Sequence, residues 1–136
     1  MLSDEIRDRL IEAAKQARRN AYVPYSKDFK VGAAVITEDG SIFTGCNIEN
    51  VSLGATVCAE RVAIFKAVSS GQRAIDAVAV VADSMEPIPP CGICLQVISE
   101  FNGNAEVIMA NTRGDTKVLN IKELLPLYFK LPHTDE

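Results

Sequence analysis

The chain has 136 residues, 48% of them hydrophobic and 24% charged, with a formal net charge of −4. That length and apolar content predict one domain over residues 1–136 with a real core, and exclude a disordered chain. The acidic balance and the absence of any Lys/Arg run longer than two residues exclude a broad basic face for nucleic-acid backbones, so no nucleic-acid partner is expected.

Ser3 is placed to cap a first helix, with Asp4 and Glu5 at its positive end. Ile6, Leu10, Ala13, Ala14, Ala17 and Ala21 recur at helical spacing, and Pro24 bounds the helix. Residues 29–37 are small, apolar and partly β-branched. Asp39-Gly40 follows, then Ile42, Phe43 and Thr44, which predicts a hairpin. Residues 47–56 read as a polar loop. A second helix is expected from about Cys58 to Ser70, and residues 75–82 form a nearly continuous apolar run typical of a strand buried on both faces.

Three of the six prolines fall in the loop 83–90. A third helix is expected from about Cys91 to Phe101, then strands over 105–110 and 116–119. Asn120 with Glu123 resembles a capping box for a short last helix that Pro126 closes. The order α-β-β-α-β-α-β-β-α predicts an α/β fold, a three-layer α/β/α sandwich with a five-stranded mixed sheet. No internal repeat, linker or low-complexity tract is visible. No apolar run approaches about 18 residues, so no membrane span is expected. The acidic start Met1-Leu2-Ser3-Asp4-Glu5 is unlike a signal peptide, which predicts a cytoplasmic protein.

The chemistry is concentrated in Cys58-Ala59-Glu60 and Pro90-Cys91-Gly92-Ile93-Cys94. Three thiols can hold Zn²⁺ and leave one position open for water, which is a catalytic rather than a structural coordination. Both clusters fall at predicted helix starts, where thiolates are favoured, and Cys91 and Cys94 share one face of a first turn. Three thiolates leave the site with a formal charge of −1, so a cation beside them matters, and Arg61 is the obvious donor to the sulfurs. An alternative use of Arg61 is a solvent-facing helix residue. Glu60 sits two residues from a ligand, suited to cycling a proton; otherwise it is an exposed helix glutamate.

A closed structural zinc site is the competing account, with Cys46 or His133, the single histidine, as fourth ligand. Cys46 on an apparent strand reads equally as a small buried thiol. A metal-free reactive-cysteine enzyme fits less well, since no second histidine is available as base.

These clusters resemble the zinc-dependent cytidine deaminase family in its small homotetrameric form, and the resemblance spans nearly the whole chain. Pro24-Tyr25-Ser26 with Phe29 and Val31-Gly32-Ala33 resembles the family's first-strand motif. Gly45-Cys46-Asn47-Ile48-Glu49-Asn50 resembles its ribose-binding stretch, and Glu123-Leu124-Leu125-Pro126 its closing helix. The resemblance implies that Cys58, Cys91 and Cys94 bind one Zn²⁺ per subunit and that Glu60 is the proton shuttle for hydroxide attack at C4 of cytosine, giving uridine and ammonia. It implies that Asn47 and Glu49 bind the ribose 3′-hydroxyl, facing the same side two residues apart in extended chain. Phe29 would line the base pocket, the Ala59 backbone N–H would meet the pyrimidine oxygen, and Phe129 would reach a neighbouring subunit's base. Core packing is the other use of both phenylalanines.

Three departures stand out. Leu95-Gln96 occupies the place of the family's usual Arg-Gln, so Arg61 carries the charge compensation alone. Leu53 replaces a common tyrosine. Lys27-Asp28 makes the first loop one residue longer than usual. The expected activity is deamination of cytidine and deoxycytidine in pyrimidine salvage, with a nucleoside as small-molecule substrate. A modified cytosine nucleoside or a blasticidin S-like aminopyrimidine is the alternative, and a zinc-stabilised binding module without catalysis is the alternative from another class.

Overall fold

The computed structural model describes residues 2–132, so His133 lies outside the described residues. The first helix, α1 (Asp4–Arg18), starts where Ser3 Oγ accepts the Ile6 N–H at 3.2 Å. Acidic Asp4 and Glu5 occupy its first turn and basic Lys15 and Arg18 its last, matching the helix dipole at both ends. It stops at Arg18, so Ala21, which fits the helical periodicity, lies outside it. Tyr22 instead bridges to Ile48, with the Tyr22 N–H donating to Asn47 O and the Glu49 N–H to Tyr22 O. Extended pairing with a distant segment wins there over local helix propensity.

Five strands follow: β1 (Val31–Thr37), β2 (Ile42–Cys46), β3 (Ile75–Ala82), β4 (Glu106–Asn111) and β5 (Thr116–Asn120). Their order across the sheet is β2-β1-β3-β4-β5; β3 and β4 run parallel and the other pairs antiparallel. The expected mixed sheet of five strands is present. All seven residues of β1 are buried, as a central strand covered on both faces requires. The strand begins at Val31 rather than Phe29.

The helices divide between the two faces of the sheet. On one face, Leu10 and Ala14 of α1 pack on Ala34, Ile36, Ala77, Ala79, Val81, Ile108 and Ala110. On the other, α2 (Ala59–Ser69) and α3 (Gly92–Phe101) press Ala63, Ile64, Ala67 and Ile98 onto Val31, Ala33, Val35, Val78, Val80, Val107 and Met109. The last helix, α4 (Ile121–Leu124), carries the expected capping box between Asn120 and Glu123 and buries Ile121 in the same layer. The α/β/α layering follows from strand alternation, since successive side chains leave opposite faces of each strand.

Two glycines set how closely the helices approach. A Cβ at Gly32 would clash with Ala14 O of α1, and one at Gly45 would stand 2.5 Å from Ala59 O of α2. The second contact seats the start of α2 directly on the end of β2, which bears on the site below.

Candidate active site

Cys58 and Cys91 are the N-caps of α2 and α3, in extended conformation with ψ of 154° and 169°. Neither sulfur makes a capping hydrogen bond to its helix. Cys94 lies on the first turn of α3, three residues after Cys91. The three Sγ atoms lie within 4.8 Å of one another, with Cys58 and Cys91 3.8 Å apart. A tetrahedral site with metal–sulfur bonds of about 2.3 Å has sulfur–sulfur edges of about 3.8 Å, whereas a disulfide needs about 2.05 Å. The three sulfurs therefore fit a zinc ion. Cys94 is buried, Cys58 half-buried and Cys91 exposed, so the cluster opens to one side. Cys46 is half-buried and stands outside the group, and burial pushes its thiol up.

The cluster already has thiolate character. A hydrogen bond from Cys94, with further ones from Arg61 and Cys91, lowers the Cys58 thiol to about 5. Cys94 is pushed up as the proton-holding partner of Cys58 and by burial. Arg61 Nη2 is 3.5 Å from Cys58 Sγ, so Arg61 faces the sulfurs rather than solvent. Its Nε is buried and has no hydrogen-bond partner among the described residues. Leu95 is buried in the core layer beneath, so no second cation comes from that position.

Glu60, in the first turn of α2, is only 4% exposed. Burial pushes its carboxyl up to about 7, and the Cys58 charge adds to the shift. Such a carboxyl can both take and return a proton near neutral pH. Ala59 opens the helix, so its N–H is one of those the helix cannot satisfy internally.

A cleft of about 250 Å³ joins these groups to the predicted substrate residues. Phe29, Val31, Asn47, Glu49, Thr56, Val57, Cys58, Ala59, Glu60, Val80, Ile88, Pro89 and Cys91 line it. Asn47 and Glu49 lie just past the end of β2. The bridge at Ile48 keeps that stretch extended, which is why both reach the same cleft. A larger recess, about 630 Å³, lies among Arg7, Asp76, Asn102, Glu106 and Asn120 and contains none of the candidate residues.

Phe129 is not brought into this chain's cleft. It is 68% exposed, and its backbone is held by Gln96, whose Nε2 donates to Phe129 O at 2.9 Å while Oε1 accepts the Phe129 N–H at 3.1 Å. Leu53 sits in a short 3-10 turn (Leu53–Ala55) and is 76% exposed. The sequence reading missed Ile88 and Pro89, which bring the loop after β3 over the cleft. Its proline content marked a loop and carried no sign of where the loop would lie. Gln96, matched in the sequence to the second residue of the family's usual Arg-Gln pair, was given no role there; its hold on the Phe129 backbone is visible only in the structure.

Residues 4–111 match the family described as the cytidine and deoxycytidylate deaminase zinc-binding region. A cytidine deaminase of Sporosarcina psychrophila is 54% identical over 120 residues, 88% of each chain. One from Halalkalibacterium halodurans is 52% identical over 121 residues, covering 88% of this chain and 91% of that one. The crystal structure of cytidine deaminase from Burkholderia pseudomallei superposes with a TM-score of 0.87 at 47% identity, covering 94% of this chain and all of that one. With its three-sulfur cluster and its five-stranded mixed sheet, this chain belongs to the zinc-dependent cytidine deaminase family.

Proposed function

We propose that this protein hydrolytically deaminates cytidine and deoxycytidine to uridine and deoxyuridine, releasing ammonia. The observation that carries this reading is the meeting of three sulfurs and a buried carboxyl beside a single cleft. Cytidine deamination is the activity named for relatives over most of the chain. One zinc per chain is the cofactor that the sulfurs and the family fit, with Cys58, Cys91 and Cys94 as its ligands. When bound, zinc supplies Lewis acidity and a nucleophilic hydroxide at neutral pH.

The chain's own residues would then do the following. Glu60 takes one proton from the attacking water and delivers it to N3 of the pyrimidine, then takes the proton of the new C4 hydroxyl and passes it to the amino group as the C4–N bond breaks, leaving a C4 carbonyl and ammonia. Its raised pKa, about 7, suits both directions of transfer. Arg61 offsets the thiolate charge beside Cys58. The Ala59 N–H donates to the pyrimidine oxygen, Phe29 faces the base, and Asn47 and Glu49 meet the ribose hydroxyls; all four residues line the cleft.

The reading extends to one catalytic domain over residues 1–136, a cytoplasmic location, a role in pyrimidine salvage and a homotetramer. Among the described residues, no helix is long and apolar enough to cross a membrane. Phe129, exposed yet backbone-anchored, is available to a neighbouring copy. The deciding assay is the absorbance change on adding cytidine, deoxycytidine, free cytosine or blasticidin S, with and without a chelator. Chelator-sensitive turnover of the first two supports the reading. Preference for blasticidin S would replace the substrate, and no turnover of any would leave a zinc-stabilised binding module.

A further inference from the structure

The loop 83–90 carries Ile88 and Pro89 over the cleft and runs directly into Cys91. Little of it is held by packing: Asp83, Met85, Glu86 and Pro89 are exposed, Met85 to 77%. Its second half offers few backbone donors, since Pro87, Pro89 and Pro90 have no N–H. The same prolines fix φ, so the run from Met85 to Cys91 is stiff, and a shift at its start is carried to its end. Whatever grips the start therefore sets where Ile88 and Pro89 stand.

The grip comes from the neighbouring strand. Asn111 ends β4, paired in register with Ala82 at the end of the parallel strand β3. It is 2% exposed, and all four hydrogen-bonding places of its amide are used. Oδ1 accepts the Arg113 and Asp115 N–H groups at 3.0 and 2.9 Å, and Nδ2 donates to Asp115 Oδ2 at 2.9 Å. These three bonds build the turn between β4 and β5, and a turn asparagine needs no more. The fourth reaches out of the turn: Nδ2 donates to Met85 O at 3.1 Å, 26 residues away in the chain. Thr112 adds a second link, its Oγ1 donating to Asp83 Oδ1 at 2.9 Å, while its N–H holds Ala82 O at 3.2 Å.

We propose that Asn111, backed by Thr112, is a positioning residue for the reaction, setting through the loop 83–90 how closely the Ile88 and Pro89 wall approaches the substrate. Neither residue lines the cleft itself. The inference rests on the deaminase reading of the cleft given above and adds two residues that reading does not use.

The test measures kcat and KM for cytidine with zinc-loaded protein. Asn111→Ala frees Met85 O and is expected to raise KM about tenfold; Thr112→Val frees Asp83 and is expected to raise it about fivefold, the scale of one neutral hydrogen bond. In both, kcat should stay within about twofold and zinc content should hold, because α2 and α3 seat Glu60 and the sulfurs. Asp115→Ala breaks a turn bond to the same amide but leaves Met85 O its donor, so KM should stay within about twofold. Adding Thr112→Val to Pro89→Ala should raise KM less than about twofold further, because both changes act on one wall. If Asn111→Ala does not fold, Thr112→Val and its pairing with Pro89→Ala decide the matter. An unchanged KM, an equal rise in Asp115→Ala, or full additivity with Pro89→Ala would each overturn the inference while leaving the deaminase reading intact. No ammonia from the unmutated, zinc-loaded chain with any cytosine nucleoside would overturn both.

Discussion

The two walls of the cleft are built by different means. The sulfur wall comes from two helix starts seated on the sheet, with Cys94, Ala59 and Glu60 all buried. The opposite wall is an exposed loop whose shape is held by side chains of Arg18, Asn47 and Glu49 gripping its backbone. A reaction that needs fixed geometry at the metal has that geometry supplied by core packing. The wall that faces the substrate is held by a few polar contacts, each removable by one substitution. Chemistry should therefore be sensitive to changes at the first wall, and substrate fit to changes at the second.

The largest expected effect is at the sulfur wall. Cys91→Ala removes the exposed ligand, and elemental analysis should find zinc lost together with ammonia release; full zinc occupancy in that variant would show that the three thiols are not the ligand set. Next comes Glu60→Gln, which keeps the sulfurs and their zinc but should lower kcat by about 10² to 10⁴, the range for a missing general acid–base. Activity near that of the parent would remove Glu60 from the mechanism.

A subtler strike on the same wall is Gly45→Ala. The added methyl would stand 2.5 Å from Ala59 O, a backbone atom that cannot swing aside. Destabilisation of about 1–3 kcal/mol in urea unfolding is expected, with faster zinc loss; an unchanged midpoint would mean that α2 does not depend on this close approach.

The smallest effect belongs to the loop wall and is read from pH. Glu49 has its carboxyl lowered by hydrogen bonds from Ser26 and from the Tyr25 and Ser26 backbone. A depressed folded-state pKa stabilises above the unfolded value, about 4.3, and that contribution fades as pH falls through the lower folded value. Urea unfolding of the parent should therefore weaken toward acid more steeply than that of Glu49→Gln. Parallel curves would show that the carboxylate does not tether the loop.

Much of this was legible in the chain itself. Caps at Ser3 and Asn120, the buried run of β3, and cysteines three residues apart at a helix start are local patterns, set by backbone hydrogen bonding and side-chain spacing within a few residues. The end of α1 was not legible, since Tyr22 pairs with Ile48, and the attraction of a distant segment leaves no mark on helical periodicity.

Sequence alone singled out the residues proposed to carry the chemistry: three thiols, one carboxyl and one guanidinium in two short clusters. Tertiary structure decided that Cys58 stands 3.8 Å from Cys91, that the Asn47 amide grips the backbone around Phe29, and that Phe129 stands outside its own chain's cleft. The physical reason is range. Residue identity and local spacing fix what a group can do, while sheet order and helix seating, which depend on contacts between distant segments, fix what it meets.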